Sequence, residues 1–302
     1  MTQVGWIAVD WGTTHLRAYA MGAAGVCAEA SSADGMGALN RDGYEPALLR
    51  LVEPWLDAGR VTPVIACGMA GSRQGWYEAP YRSVPCTPLD ADQLIAVPTR
   101  DARLAVRLVP GLKQAQPADV MRGEETQIAG ALALMPGFDG VLCLPGTHSK
   151  WVHVSAGEVV SFQTFMTGEL FALLSTQSVL RHGMADDGWE DAAFDAALSE
   201  TLSRPERIGT RLFALRAEGL IAGLSAAAAK ARLSGLLIGL ELAGSRACWL
   251  GQPIAIIGAD RLSALYARAL STQGAAPRLL SARDTVIAGL SAARHDILER
   301  TR

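Results

Sequence analysis

Two short turns in this 302-residue chain carry residue types suited to polyphosphate chemistry. The first, Asp10-Trp11-Gly12-Thr13-Thr14, follows an apolar run and precedes another. A carboxylate at a strand end can hold a hydrated Mg²⁺ ion, glycine lets backbone N–H groups approach an anion, and threonine hydroxyls add donors. That set suits a nucleoside triphosphate, although Asp-x-Gly also builds ordinary hairpins. The second turn, Pro145-Gly146-Thr147-His148-Ser149-Lys150, offers donors of the same kind and one cation. Because the two turns stand in matching contexts, they are expected to grip one triphosphate between them, with Asp10 holding Mg²⁺ through water.

Between the turns stands Arg122-Gly123-Glu124-Glu125. Phosphoryl transfer to an alcohol needs a carboxylate near the attacking hydroxyl, to orient it and accept its proton late. Either glutamate could serve, and glutamates in a first helical turn also stabilise the helix through its dipole. Arg122 could pair with an acidic substrate group or with these glutamates. The loop Gly68-Met69-Ala70-Gly71-Ser72, followed by Arg73, Trp76 and Tyr77, combines small residues that admit a ligand with aromatic and basic groups that could wall it. A surface loop with packed aromatics fits the same residues. Gly258-Ala259-Asp260 ends a strand and opens a helix, a natural place for a nucleotide base or ribose.

The elements that must position these groups are legible as a repeated pattern. Val4–Asp10, His15–Met21 and Gly25–Ser31 read as an antiparallel meander, Pro46–Leu56 as a helix and Val61–Cys67 as a buried strand. Gly75 to Pro117 is rich in proline and is expected to wrap over or connect sheets. Gly123–Met135 reads as a helix. Gly140–Leu144, Trp151–Ser155 and Glu158–Thr164 then repeat the strand, Gly-Thr turn and two-strand order of the opening. Helical spacing dominates Leu170–Leu180, Trp189–Ser203, Ile208–Ala222 and Ser225–Ala247. A strand at Pro253–Ile257, a helix at Leu262–Thr272, a strand near Arg278–Leu280 and a helix at Asp284–Leu298 complete the chain. Two α/β domains facing a cleft is the economical arrangement.

Half of the residues are hydrophobic, 19% are charged, and the net charge of −3 makes no electrostatic case for nucleic acid or an anionic membrane. No signal peptide precedes the first strand, and Leu233–Ala243 is too short and too interrupted to cross a bilayer, so a cytoplasmic protein is expected. The five scattered cysteines read as buried thiols, and the dispersed histidines argue against zinc.

The chain resembles the 2-dehydro-3-deoxygalactonokinase family of the sugar kinase, Hsp70 and actin superfamily. The resemblance is carried by Ile7–Tyr19 (IAVDWGTTHLRAY), Gly68–Trp76 (GMAGSRQGW), Ala79–Pro85 (APYRSVP), Met121–Gln127 (MRGEETQ), Leu144–Val152 (LPGTHSKWV), Met166–Leu170 (MTGEL) and Leu233–Glu241 (LSGLLIGLE). It implies two ribonuclease H-like, actin-like ATPase domains flanking a nucleotide and substrate cleft, here 1–122 with the sugar-acid site and 123–302 with the nucleotide. It also implies ATP with Mg²⁺, and transfer of the γ-phosphoryl group to the 6-hydroxyl of 2-dehydro-3-deoxy-D-galactonate. Carried onto this sequence, Asp10 and either Glu124 or Glu125 are the catalytic candidates. Gly12, Thr13, Thr14, Arg17, Gly146, Thr147, Ser149, Lys150 and Gly258 are the phosphate and nucleotide candidates. Gly68, Met69, Ala70, Gly71, Ser72, Trp76 and Arg122 would hold the sugar acid. Relatives are often glycine-richer where this chain has Ala259-Asp260. Two-domain kinases are often homodimers, but no interface is legible. The alternatives are a kinase for another 2-keto-3-deoxy acid, such as the gluconate-derived epimer, or a non-catalytic nucleotide-binding regulator. A regulator would need a DNA-binding segment before the first strand, and a chaperone a peptide-binding domain after the last helix.

Overall fold

The computed structural model describes residues 4–184 and 187–300. Its first strands and helices are β1 (Trp6–Trp11), β2 (Leu16–Gly22), β3 (Gly25–Ser32), α1 (Tyr44–Val52), β4 (Thr62–Gly68), β5 (Arg82–Ser83), β6 (Ile95–Val97), β7 (Leu104–Leu108), β8 (Leu112–Gln114), β9 (Asp119–Met121) and α2 (Glu124–Leu134). They continue with β10 (Gly140–Leu144), β11 (Ser149–Ser155), β12 (Glu158–Phe165), α3 (Thr167–Thr176), α4 (Asp191–Ser203), α5 (Ile208–Ile221) and α6 (Ala226–Gly244). The last are α7 (Arg246–Trp249), β13 (Ile254–Gly258), α8 (Asp260–Ser271), β14 (Arg278–Ser281) and α9 (Ala282–Arg300). No helix among the described residues is long and apolar enough to cross a membrane.

The chain divides into two compact units, one of residues 1–138, 154–161 and 282–302, the other of 139–153 and 162–281. The expected boundary at 122/123 therefore differs from the observed one. Helix α2 stays with the first unit because its Gly130 and the Gly289 of α9 let two backbones meet. A Cβ at Gly130 would lie 1.8 Å from the Thr285 carbonyl oxygen, and one at Gly289 2.1 Å from that of Thr126. Alanine there would gain about 1 kcal/mol of helix propensity but would force the helices apart, costing about 3 kcal/mol or more. Gly130→Ala and Gly289→Ala should each lower the urea midpoint of unfolding; an unchanged midpoint would mean that the contact can yield.

The first unit's six-stranded sheet runs β3-β2-β1-β4-β7-β6. The β1–β2 and β2–β3 pairs are antiparallel, as the meander predicts, while β4 joins β1 in parallel and β7 joins β4 in parallel. The proline-rich middle is a correction: it contributes β6 and β7 to this sheet and β5 and β8 to a small three-stranded one that β9 completes. These strands are too short for the period-2 signal to stand out. Strand β1 is apolar on both faces because both are covered. Ile7, Val9 and Trp11 pack with Tyr44, Leu48 and Val52 of α1, whereas Ala8 packs with Tyr19, Ile65, Cys67 and the α9 residues Val286 and Leu290. By the two-residue strand period Asp10 belongs to the Ala8 face.

In the second unit the sheet order is β12-β11-β10-β13-β14, with β13 parallel to β10 and to β14. The order 3-2-1-4 thus occurs in both units, the ribonuclease H-like pattern implied by the sequence. Helices α4 and α6 cover one face of the core through Phe194, Leu198, Ala231, Ile238 and Leu242. The glycines of LSGLLIGLE make this contact close: a Cβ at Gly235 would lie 2.4 Å from the Phe194 carbonyl, and one at Gly239 2.9 Å from that of Leu198. The cysteine expectation holds only in part. Cys67 and Cys143 are buried, Cys86 and Cys248 are half-buried, and Cys27 is exposed on β3. Strand β3 lies at the sheet edge, and all of its residues are half-buried or exposed.

Candidate active site

In the first unit three chain segments meet at the ends of β1 and β4. Strand pairing sets Asp10 beside Cys67 and Trp11 beside Gly68. Gly68 has φ +87°, and a Cβ there would lie 2.6 Å from the Trp11 carbonyl oxygen, so glycine is required by both backbone and space. Gly123 (φ +104°) comes next, its Cβ position 3.4 Å from Gly68 Cα, and a Cβ on Gly71 would lie 2.9 Å from Arg122 Nη1. Residues 10–12, 68–71 and 122–124 are thereby contiguous.

Asp10 accepts a hydrogen bond from Arg17 Nη1 at 3.2 Å, with the two side chains 23% and 48% exposed. Burial pushes the Asp10 carboxyl above the ordinary carboxylate range; Arg17 opposes the shift, and the nearby negative charge of Glu124 adds to it. The Gly12-Thr13-Thr14 turn is closed by Gly12 N–H donating to the His15 carbonyl at 2.9 Å. Met36 and Gly37 N–H groups brace it from outside, donating to the Gly12 and Thr13 carbonyls at 3.1 and 2.9 Å. Thr13 and Thr14 are exposed. Carboxylate and hydroxyl oxygens are a donor set that fits a largely hydrated Mg²⁺.

The two glutamates separate by environment. Glu125 is fully buried; its Oε2 accepts from Gly123 N–H at 2.6 Å and its Oε1 from the Thr126 hydroxyl at 3.2 Å. Burial first, and the Glu124 charge second, push its carboxyl up to about 8. Glu124 is half-buried at the first position of α2 and accepts from the Arg122 backbone N–H at 3.0 Å.

Arg122 pairs through its guanidinium with neither glutamate in the bonds it makes here. Nη2 donates to the Ala79 carbonyl at 2.7 Å and the group lies 4.3 Å above the Tyr81 ring. Its Nε and Nη1 are buried without a hydrogen-bond partner. Two unmet donors on a cation cost roughly 1–3 kcal/mol each, and an anionic ligand oxygen reaching either of them would relieve part of that cost. The other residues expected at the sugar acid are mostly buried. Ala70 and Gly71 are buried, Met69 is half-buried, and the Ser72 hydroxyl meets Met36 Sδ at 3.3 Å. Trp76 is only 7% exposed, its ring 6.3 Å from Tyr44 and 5.9 Å from Trp11, so it belongs chiefly to the core. It also borders a cavity of about 450 Å³ with Arg41, Glu45 and Arg100.

In the second unit the Gly146–Thr147 turn rests on the start of α3. A Cβ at Gly168 would lie 2.3 Å from the Gly146 carbonyl oxygen, Glu169 N–H donates to the Thr147 carbonyl at 3.0 Å, and His148 Nε2 pairs with Glu169 Oε2 at 2.6 Å. Strand β11 begins at Ser149, two residues before the sequence reading places it. Ser149 and Lys150 are consequently buried: the Ser149 hydroxyl lies 3.1 Å from the Tyr266 hydroxyl, and Lys150 Nζ donates to the His148 carbonyl at 3.4 Å. Thr147 is exposed.

Beside this turn lies a cavity of about 460 Å³ bordered by Gly146, Thr147, Thr167, Gly168 and Ala259. Phe171, Trp189, Leu237 and Leu262 supply apolar wall, Lys230 and Arg261 supply charge, and the Arg261 guanidinium stands 5.4 Å from the Trp189 ring. Its size and mixed lining suit a nucleoside. Gly258 does not border it among the described residues; it ends β13 just before Ala259, and a Cβ there would lie 2.8 Å from Ser263 Oγ. Sequence reasoning missed Thr167, Gly168, Trp189, Lys230 and Arg261. MTGEL was the available signal for the first two; Lys230 and Arg261 sit on helices whose polar residues look like ordinary solvent faces, and Trp189 lies just before α4.

The family described as 2-keto-3-deoxy-galactonokinase matches residues 10–293. A protein of Rhizobium meliloti (strain 1021) named as a 2-dehydro-3-deoxygalactonokinase is 42% identical over 98% of this chain and 99% of its own length. The 2-dehydro-3-deoxygalactonokinase of Escherichia coli (strain K12) is 34% identical over 97% of this chain and 98% of its own. A solved structure from Sinorhizobium meliloti, named for the same activity, superposes with a TM-score of 0.86 at 41% identity, covering 97% of this chain and 99% of that one.

Proposed function

The chain belongs to the 2-keto-3-deoxy-galactonokinase family, and on that premise we propose how its residues act. The reaction is transfer of the γ-phosphoryl group of ATP to the 6-hydroxyl of 2-dehydro-3-deoxy-D-galactonate, giving the 6-phosphate ester and ADP. The substrate's hydroxyl oxygen forms the new bond to phosphorus, the bond from phosphorus to the β-phosphate oxygen breaks, and the hydroxyl proton passes to the protein.

Glu124 is the proton acceptor. It is the glutamate of the pair that is not sealed in the core, and it sits beside Arg122 and the Gly68–Gly71 loop. Glu125 holds the turn in place by accepting the Gly123 N–H. Arg122 binds the carboxylate of the sugar acid through the donors that the protein leaves unmet. Mg²⁺, when bound through water to Asp10, would neutralise charge on the phosphates. Within the first unit the exposed Thr13 and Thr14 offer hydroxyl donors to phosphate, with Arg17 holding the Asp10 carboxylate in place. Within the second unit the Gly146–Thr147 turn offers phosphate donors of its own. Ser149 and Lys150 act behind that turn rather than on the ligand, and the neighbouring cavity takes the adenosine.

The observation that carries this reading is the convergence of Asp10, Arg122 and Glu124 at the ends of two adjacent parallel strands. It combines a metal-holding carboxylate, a carboxylate-binding cation and a proton acceptor. A coupled ADP-release assay across 2-keto-3-deoxy sugar acids tests it. Turnover should be greatest with the galactonate-derived acid, and absence of turnover on every acid would overturn it.

A further inference from the structure

Glu241 is 1% exposed on α6, yet it is a carboxylate. Its Oε1 accepts from Trp151 Nε1 at 2.8 Å and its Oε2 from the Tyr266 hydroxyl at 2.6 Å. The side chains of Thr167 and Ser149 are also hydrogen-bonded to it. Trp151 and Tyr266 supply one donor to each carboxylate oxygen, so the group is satisfied. A satisfied buried charge is still an expensive way to fill space, since apolar replacements of such groups are often neutral or stabilising. What this one adds is direction.

Each donor belongs to an element that frames the Gly146–Thr147 turn. Ser149 and Trp151 lie on β11, immediately after the turn. Thr167 opens α3 and precedes Gly168, whose missing Cβ lets α3 touch the Gly146 carbonyl. Tyr266, on α8, borders the adjoining cavity and also meets the Ser149 hydroxyl at 3.1 Å. One carboxylate therefore gathers both ends of the turn's support. Burial raises the Glu241 carboxyl above its ordinary range, while the bonds from Thr167, Tyr266, Trp151 and Ser149 hold it down.

We propose that Glu241 is a positioning residue that fixes the Gly146–Thr147 turn in the shape that receives the nucleotide's phosphates. This rests on the reading of that turn as a phosphate site. It gives a role to the closing glutamate of LSGLLIGLE, whose two glycines serve only helix packing.

The test compares ADP with Mg²⁺ against adenosine, each titrated calorimetrically into the full chain and into Glu241→Gln and Tyr266→Phe. Gln keeps the shape but replaces an acceptor oxygen by a donor. Phe keeps the buried ring and removes only the hydroxyl link. Displacing the turn should weaken ADP binding about tenfold or more and leave adenosine, titrated to millimolar concentration, within about twofold. The KM for ATP should rise while the KM for the sugar acid stays unchanged. If ADP binds both variants as tightly as the parent, or if ADP and adenosine lose affinity equally, the positioning role is wrong. Should Glu241→Gln fail to fold, Tyr266→Phe decides alone. A parent protein that binds ADP no more tightly than adenosine would instead overturn the phosphate-site reading, a pattern distinct from either failure of the variants.

Discussion

Replacing Glu124 by Gln is expected to lower kcat by about 10²- to 10⁴-fold, the usual contribution of a positioned general base, while Glu125→Gln costs less than about tenfold. The difference follows from burial. Glu124 is half-buried beside Arg122, whereas Glu125 is sealed beneath the turn with its carboxyl pushed up to about 8. At neutral pH Glu125 is therefore mostly uncharged, and glutamine reproduces its size and its acceptance of the Gly123 N–H. The sign of its effect on stability is definite. A carboxyl at about 8 in the fold, against an ordinary 4.5, keeps its proton longer in the native chain than in the unfolded one. Its contribution is fully present below about 4.5 and is lost as pH rises through about 8. Glu125→Gln should flatten that decline when urea midpoints are compared across this range. Steady-state rates of both variants decide the assignment: equal, mild losses would return both glutamates to a helix-stabilising role, and a larger loss at Glu125 would reverse it.

Asp10→Asn should reduce Mg²⁺-dependent turnover by about 10²- to 10³-fold, comparable to losing one preorganised electrostatic contact in a transition state. It should also raise the Mg²⁺ concentration needed for half-maximal rate. The fold should survive. The Arg17–Asp10 pair is partly exposed, with side chains 48% and 23% accessible, so its loss costs at most about 1 kcal/mol. The backbone bonds that shape the Gly12–Thr14 turn do not pass through the Asp10 side chain. Turnover measured against Mg²⁺ concentration, beside a thermal melt, checks both halves. Full activity at ordinary Mg²⁺ would remove Asp10 from the site.

Much of the fold was legible because its signals are local. The meander of β1 to β3, strand β10 and the acidic first turn of α2 follow from apolar runs, glycine turns and helix-dipole preferences that involve neighbouring residues only. Strands β6 and β7 escaped notice for the opposite reason: they are short, and β7 becomes a strand by pairing in parallel with β4, which is more than 30 residues earlier in the chain by the ladder Thr62↔Leu104.

At the site the division is similar. Residue types alone marked Asp10, the Gly12–Thr14 turn, the Gly68–Ser72 loop, Arg122, the two glutamates and the Gly146–Lys150 turn as chemically suited to phosphoryl transfer, and the run of motifs identified the family. Tertiary structure separated Glu124 from Glu125, turned Ser149 and Lys150 inward and left two Arg122 donors without a protein partner. It also joined Glu241 to Trp151, 90 residues away, and to Tyr266. Burial and long-range hydrogen bonding decide which of several suitable groups can meet a ligand. Both depend on what packs against a residue, and sequence neighbours do not encode that.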